Sequence, residues 1–228
     1  MEKYGLIGYP LGHSFSINYF NEKFQDEKID ATYENFEIPS IDQLPVILNT
    51  HPELCGLNVT IPYKEKVITY LDELSPAARA IGAVNVIRVI HKGKKIELKG
   101  YNSDVIGFTE SIEPLLEKYH ERALILGTGG ASKAIEYGLR QLGLETVKVS
   151  RTARPGVVTY DDITPATMKK YNVIVNCTPV GMYPHADECP KLPYEAMDSH
   201  TLLYDLIYNP DETLFMKRGR EQGATVKN

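Results

Sequence analysis

The chain has 228 residues, 43% of them hydrophobic and 24% charged, with 17 glycines and 14 prolines. That balance excludes a disordered, collagen-like or coiled-coil chain, and the length fits one to two domains whose cores need neither disulfide nor metal. A net charge of −5, from 25 basic and 30 acidic residues spread without a like-charge block, argues against a nucleic-acid tail or a polybasic membrane anchor and leaves small-molecule chemistry open. Cys55, Cys177 and Cys189 lack CxxC spacing and no leader pattern opens the chain, so a cytoplasmic protein is expected. Apolar runs such as 123–126 and 173–175 have the length of buried strands, far short of the ~20 residues that span a bilayer. No integral membrane protein is expected.

Runs rich in β-branched and aromatic residues alternate with helical patterns along the chain, which predicts α/β layers with mostly parallel sheets. In chain order, strands are expected at 4–8, 32–38, 56–60, 85–90 and 95–98. The last two are joined through His91-Lys92-Gly93-Lys94 as an antiparallel hairpin. Between the first two strands, Ile17, Phe20 and Phe24 recur on one helical stripe, with Ser16 as the cap. A second series begins near Asn102: helix 104–119, strand 123–126, helix 131–142, then strands at 147–150, 173–176 and 202–207. Ala131, Ile135, Leu139 and Leu142 give the second of these helices one apolar face.

The strand at 123–126 runs into Gly127-Thr128-Gly129-Gly130-Ala131-Ser132 and then a helix, the setting of a dinucleotide-binding turn. Glycines at 127 and 129 let backbone approach a diphosphate, whose charge meets the N–H groups at the start of the next helix. Ser132 stands where that pattern has its third glycine. After the next strand, an NAD site places Asp or Glu for the ribose hydroxyl. Here Ser150-Arg151-Thr152 offers a planar guanidinium and two hydroxyls, which suit the 2′-phosphate of NADP.

Three peptides in the first half are polar beyond the needs of a plain sheet. Gly8-Tyr9-Pro10-Leu11-Gly12-His13-Ser14-Phe15-Ser16 carries two serines that taken alone read as helix-start residues. In Asn58-Val59-Thr60-Ile61-Pro62-Tyr63-Lys64-Glu65, strand alternation sets Asn58 and Thr60 on one face and Val59 on the other, with Lys64 just past the strand end. Gly82-Ala83-Val84-Asn85 and Tyr101-Asn102-Ser103-Asp104 stand where the first half hands over to the second, a place where clefts form. Taken alone, Asp104 reads as a helix N-cap.

Together these stretches, with Asn176-Cys177-Thr178-Pro179-Val180-Gly181-Met182 and Tyr204-Asp205-Leu206-Ile207-Tyr208, resemble the shikimate dehydrogenase family in order and spacing from Tyr4 to about Tyr208. The resemblance implies two α/β domains with a cleft between them. It places an N-terminal substrate domain with a mostly parallel sheet at 1–101 and a Rossmann-like NADP-binding domain at 102–212. Residues 213–228 are then expected to return to the substrate domain, with the family's last helix absent.

The resemblance also implies that Lys64 and Asp104 are the catalytic pair, that Ser14, Ser16, Asn58, Thr60, Asn85 and Tyr208 bind shikimate, and that NADP lies on residues 127–132, Ser150, Arg151, Thr152, Thr178, Met182 and Leu206. The expected reaction interconverts shikimate and 3-dehydroshikimate in aromatic amino-acid biosynthesis, by a monomer or homodimer with no metal, nucleic-acid or membrane partner. Lys64 exchanges a proton with the substrate hydroxyl as general acid/base. Ser103 replaces the family's usual Thr, and Cys177 takes a small-residue position. The alternatives are a quinate/shikimate dehydrogenase using NAD or NADP, against which Arg151 argues; a Schiff-base lysine enzyme; and a non-enzymatic nucleotide-binding module.

Overall fold

The protein is described by a computed structural model that covers residues 1–12, 15–93 and 95–228. The chain divides into two units, Met1–Ser103 and Asp104–Asn228, each built on its own six-stranded sheet.

The first unit runs β1 (Glu2–Gly8), α1 (Phe15–Asp26), β2 (Ala31–Glu37), α2 (Leu44–Thr50), β3 (Leu54–Val59), β4 (Glu73–Leu74), α3 (Pro76–Ile81), β5 (Val86–Lys92) and β6 (Lys95–Tyr101). Its sheet order is β2-β1-β3-β5-β6-β4. β1 pairs in parallel with β2 and β3, whereas β5 runs antiparallel to β3 and β6, the expected hairpin. Alternation along β1 sends Ile7 to one face, into a core with Leu57, Val59, Ile87 and Leu98, and Leu6 to the other, under α1 with Tyr33. Phe20 and Phe24 of the expected helical stripe pack into this second cluster. Ser16 lies inside α1 as its second residue rather than capping it, because the helix already starts at Phe15.

The second unit runs α4 (Asp104–Ile112), β7 (Arg122–Leu126), α5 (Gly130–Gln141), β8 (Glu145–Ser150), β9 (Val157–Thr159), α6 (Pro165–Met168), β10 (Val173–Asn176), β11 (Leu202–Asp205), α7 (Leu214–Glu221) and β12 (Thr225–Lys227). All its strand pairs are parallel, in the order β9-β8-β7-β10-β11-β12. Counted from β7, this is the 3-2-1-4-5-6 order of a doubly wound dinucleotide-binding sheet.

Three expectations are corrected in this unit. The helix expected over 104–119 ends at Ile112, where Pro114 enters a short 3-10 turn, Glu113–Leu115, since proline cannot continue the α-helical hydrogen-bond ladder. The strand expected over 202–207 ends at Asp205, whose carboxylate turns the chain by accepting from the Ile207 N–H. Residues 213–228, expected to return to the first unit, form α7 and β12 on the second sheet. Burial explains this: Phe215, Met216 and Ala224 belong to the second unit's core, and β12 pairs with β11.

Candidate functional site

In the first unit, strand direction gathers the polar peptides at one sheet end. β1 and β3 end there, antiparallel β5 starts there, and β6 ends there again. On β3, Leu57 and Val59 are anchored in the core, so Asn58 and the following Thr60 take the opposite face and stay half-buried. The Thr60 N–H donates to the Ile7 carbonyl at 2.9 Å and its carbonyl accepts from Tyr63 N–H at 2.9 Å, which turns the chain toward Lys64. The Lys64 carbonyl in turn accepts from Val84 N–H at 2.7 Å, setting the lysine backbone beside the residue that precedes Asn85.

Asn85 is buried and doubly held. Its N–H donates to the Tyr101 carbonyl at 3.0 Å, and its side-chain Oδ1 accepts from Ser103 N–H at 2.8 Å while Nδ2 donates to Ser103 Oγ at 3.0 Å. Asn102, also buried, donates from Nδ2 to the Ala83 carbonyl at 3.0 Å. The peptide Asn102-Ser103 thus fastens the end of β6 to the start of β5, a supporting role that its position in the sequence pattern does not reveal. Of the residues implied for substrate, Ser16, Asn58, Thr60, Lys64 and Asn85 belong to this unit. Ser14 lies outside the described residues. Asp104 is the first residue of α4 and Tyr208 is an exposed residue after β11, both in the second unit.

A residue missed in the sequence is Tyr33 on β2. Its hydroxyl donates to Asn58 Oδ1 at 2.8 Å. Strand alternation alone could have put Tyr33 on the Asn58 face, but the strand order that brings them together is not local information.

In the second unit the strand order reverses between β7 and β10, where open α/β sheets bind ligands beyond their carboxyl ends. Gly127 leaves β7 with φ +107°, a conformation side chains rarely adopt, and its N–H donates to the Val149 carbonyl at 2.8 Å. A Cβ on Gly129 would meet nothing within 4 Å, so the turn leaves open space in front of its backbone. α5 then starts at Gly130 without a side-chain cap, leaving its first N–H groups and the positive end of its dipole to face an anion. Ser132, in place of the third glycine, is fully buried and donates to the Gly129 carbonyl at 2.7 Å, stapling the turn.

At the end of β8, Arg151 and Thr152 are exposed, and no carboxylate pairs with Arg151 among the described residues. These groups fit a phosphorylated dinucleotide: glycine backbone with open space in front of it suits a diphosphate, and an exposed cation suits a 2′-phosphate.

Across the switch point, a buried network builds the neighbouring loops. Asp205, 1% exposed, accepts through Oδ1 from Asn176 Nδ2 at 3.0 Å and Ile207 N–H at 3.0 Å, and through Oδ2 from Thr213 Oγ1 at 2.7 Å. Asn176 Oδ1 accepts from both the N–H and the hydroxyl of Thr178 at 3.1 and 2.7 Å. Burial pushes the Asp205 carboxyl above its ordinary range, against the lowering effect of its three donors. Thr178 is half-buried, Leu206 likewise, and Met182 is exposed.

A family model described as the shikimate dehydrogenase substrate binding domain matches residues 6–87. The chain is 37% identical to the NADP(+) shikimate dehydrogenase of Carboxydothermus hydrogenoformans, over 98% of this chain and 84% of that protein, and 39% identical to that of Halothermothrix orenii with the same coverage. The chain belongs to the shikimate dehydrogenase family. Among solved members, a shikimate dehydrogenase in complex with NADP+ superposes with a TM-score of 0.85 at 29% identity, covering all of this chain and 84% of that one. The shikimate 5-dehydrogenase of Thermus thermophilus, in complex with NADP(H) and shikimate, superposes at 0.83, also at 29% identity, covering 99% of this chain and 86% of that one. The family fold accounts for both sheets. It also accounts for the parallel order of the second, which the helix and strand at 214–227 complete.

Proposed function

We propose that the chain interconverts shikimate and 3-dehydroshikimate with NADP(H), as an NADP-dependent shikimate dehydrogenase of aromatic amino-acid biosynthesis in the cytoplasm. The observation that carries this reading is the parallel β9-β8-β7-β10-β11-β12 sheet with Gly127 at its point of reversal and Arg151 after β8, in a member of a family whose relatives are named for this activity.

NADP+, when bound, supplies a hydride acceptor. Residues 127–132 hold its diphosphate through backbone N–H groups, and Ser150, Arg151 and Thr152 hold the 2′-phosphate by charge-assisted bonds. Thr178, Met182 and Leu206 border the cofactor from the loops after β10 and β11. Ser14, Ser16, Asn58, Thr60, Asn85 and Tyr208 fix the hydroxyls and carboxylate of shikimate, so that one secondary alcohol is presented to Lys64. In oxidation a neutral Lys64 amine takes the hydroxyl proton; in reduction the ammonium returns it to the forming alkoxide. Asp104 acts with Lys64 on that same hydroxyl. The NAD-linked quinate alternative is disfavoured by Arg151, which finds no charged partner on an unphosphorylated ribose.

Absorbance of the reduced nicotinamide, followed with shikimate and with quinate, each against NADP and NAD, tests the reading. Shikimate with NADP is expected to give the fastest trace. Absence of turnover with shikimate and NADP would refute it.

A further inference from the structure

Tyr33 stands on β2, two strands away from Asn58. The register aligns Tyr33 with Tyr4 of β1, and Leu6 of β1 with Asn58 of β3, so the Tyr33 and Asn58 side chains share the face covered by α1. The phenol ring is 3% exposed and stacks on Phe20 of α1 with centroids 4.7 Å apart and planes 19° from parallel. Its orientation is therefore set by packing. From this position the hydroxyl donates to Asn58 Oδ1 at 2.8 Å. Burial pushes the phenol up to about 12, which keeps the proton on the oxygen throughout the neutral range.

A side-chain amide has one accepting and one donating end, and the two are interchanged by a half-turn. With Oδ1 engaged by a buried phenol, Asn58 turns Nδ2 the other way, and that nitrogen has no acceptor among the described residues. We propose that Tyr33 is a positioning residue for the substrate site, which holds the Asn58 amide with its donors outward, so that Asn58 selects an oxygen acceptor on the ligand. This rests on the assignment of Asn58 to shikimate made above. Tyr33 itself is enclosed between β2 and α1 and acts through Asn58.

The test is steady-state kinetics of Tyr33→Phe, which keeps the ring and its stack on Phe20, with Asn58→Ala and the double variant completing a cycle. KM for shikimate is expected to rise roughly tenfold in Tyr33→Phe, the scale of one net hydrogen bond, while kcat and KM for NADP stay within about twofold. In the Asn58→Ala background, adding Tyr33→Phe is expected to change KM for shikimate less than about twofold, because the group through which it acts is gone. A purely structural role would raise both KM values together, or act equally in both backgrounds, and either result overturns the proposal. So would an unchanged KM, or a Tyr33→Phe protein that does not fold, which would assign the hydroxyl to stability. An inactive wild type would instead refute the substrate assignment itself, and this role with it.

Discussion

Gly127 faces the carbonyl oxygen of Cys177 so closely that a Cβ on the glycine would stand 3.2 Å from it and 3.2 Å from Thr178 Cγ2. The β7 turn and the β10 loop are thus in van der Waals contact at the point where the sheet order reverses. A side chain at 127 would meet both that crowding and a φ of +107°. Gly127→Ala is expected to destabilise the second unit by about 1–3 kcal/mol and to raise KM for NADP more than KM for shikimate. Thermal melting with kinetics for both substrates checks it, and equal effects on the two KM values would speak against a cofactor turn.

Arg151→Ala should separate the two cofactors. The bonds lost are charge-assisted ones to a group that only NADP carries, so KM for NADP is expected to rise roughly ten- to a hundredfold while NAD kinetics barely move. Initial rates against each cofactor at saturating shikimate measure this. Parallel loss with both would place Arg151 away from the 2′-phosphate.

Lys64→Ala should lower kcat by roughly 10²–10⁴-fold, the range for a missing general acid/base, with a much smaller change in KM for shikimate. Its backbone carbonyl still accepts from Val84 N–H, so the turn that carries it is preserved and the melting temperature is expected to stay close to wild type. Retained turnover would remove Lys64 from the proton-transfer role.

Asp205 gives a pH-dependent prediction. Its ordinary pKa of 3.8 applies to the unfolded chain, and burial raises it in the folded one. Between the two values the native state binds the proton and the unfolded state does not. The stabilisation from this uptake is therefore complete below 3.8 and is lost as pH rises through the folded pKa. Asp205→Asn does not titrate, so its melting temperature relative to wild type is expected to climb across that window and level off above it. A difference that stays flat with pH would mean that Asp205 titrates alike in both states.

Much of this architecture is legible in the chain itself because it depends on local chemistry. The run 122–126 is buried in the structure except for Arg122, and glycine at 127 permits a φ that other residues resist, so strand, turn and helix start could be read in order. The alternation of Asn58, Val59 and Thr60 likewise predicted which residues face the core. Short elements were missed for the same reason: β4 and β12 are two and three residues long, and their patterns are too brief to stand above the surrounding loops.

Partners distant in sequence were beyond such reading. Nothing near Asp205 announces that Asn176 and Thr213 will donate to it, and nothing near Tyr33 announces Asn58, 25 positions away. Even the destination of residues 213–228 turned on whether Phe215, Met216 and Ala224 would find cover, which depends on where strands far upstream lie. Side-chain periodicity and glycine freedom act over a few residues and are written in the order of the chain. Strand order and register are settled by burial of whole faces, and through them the fold selects which buried groups hold the site in place.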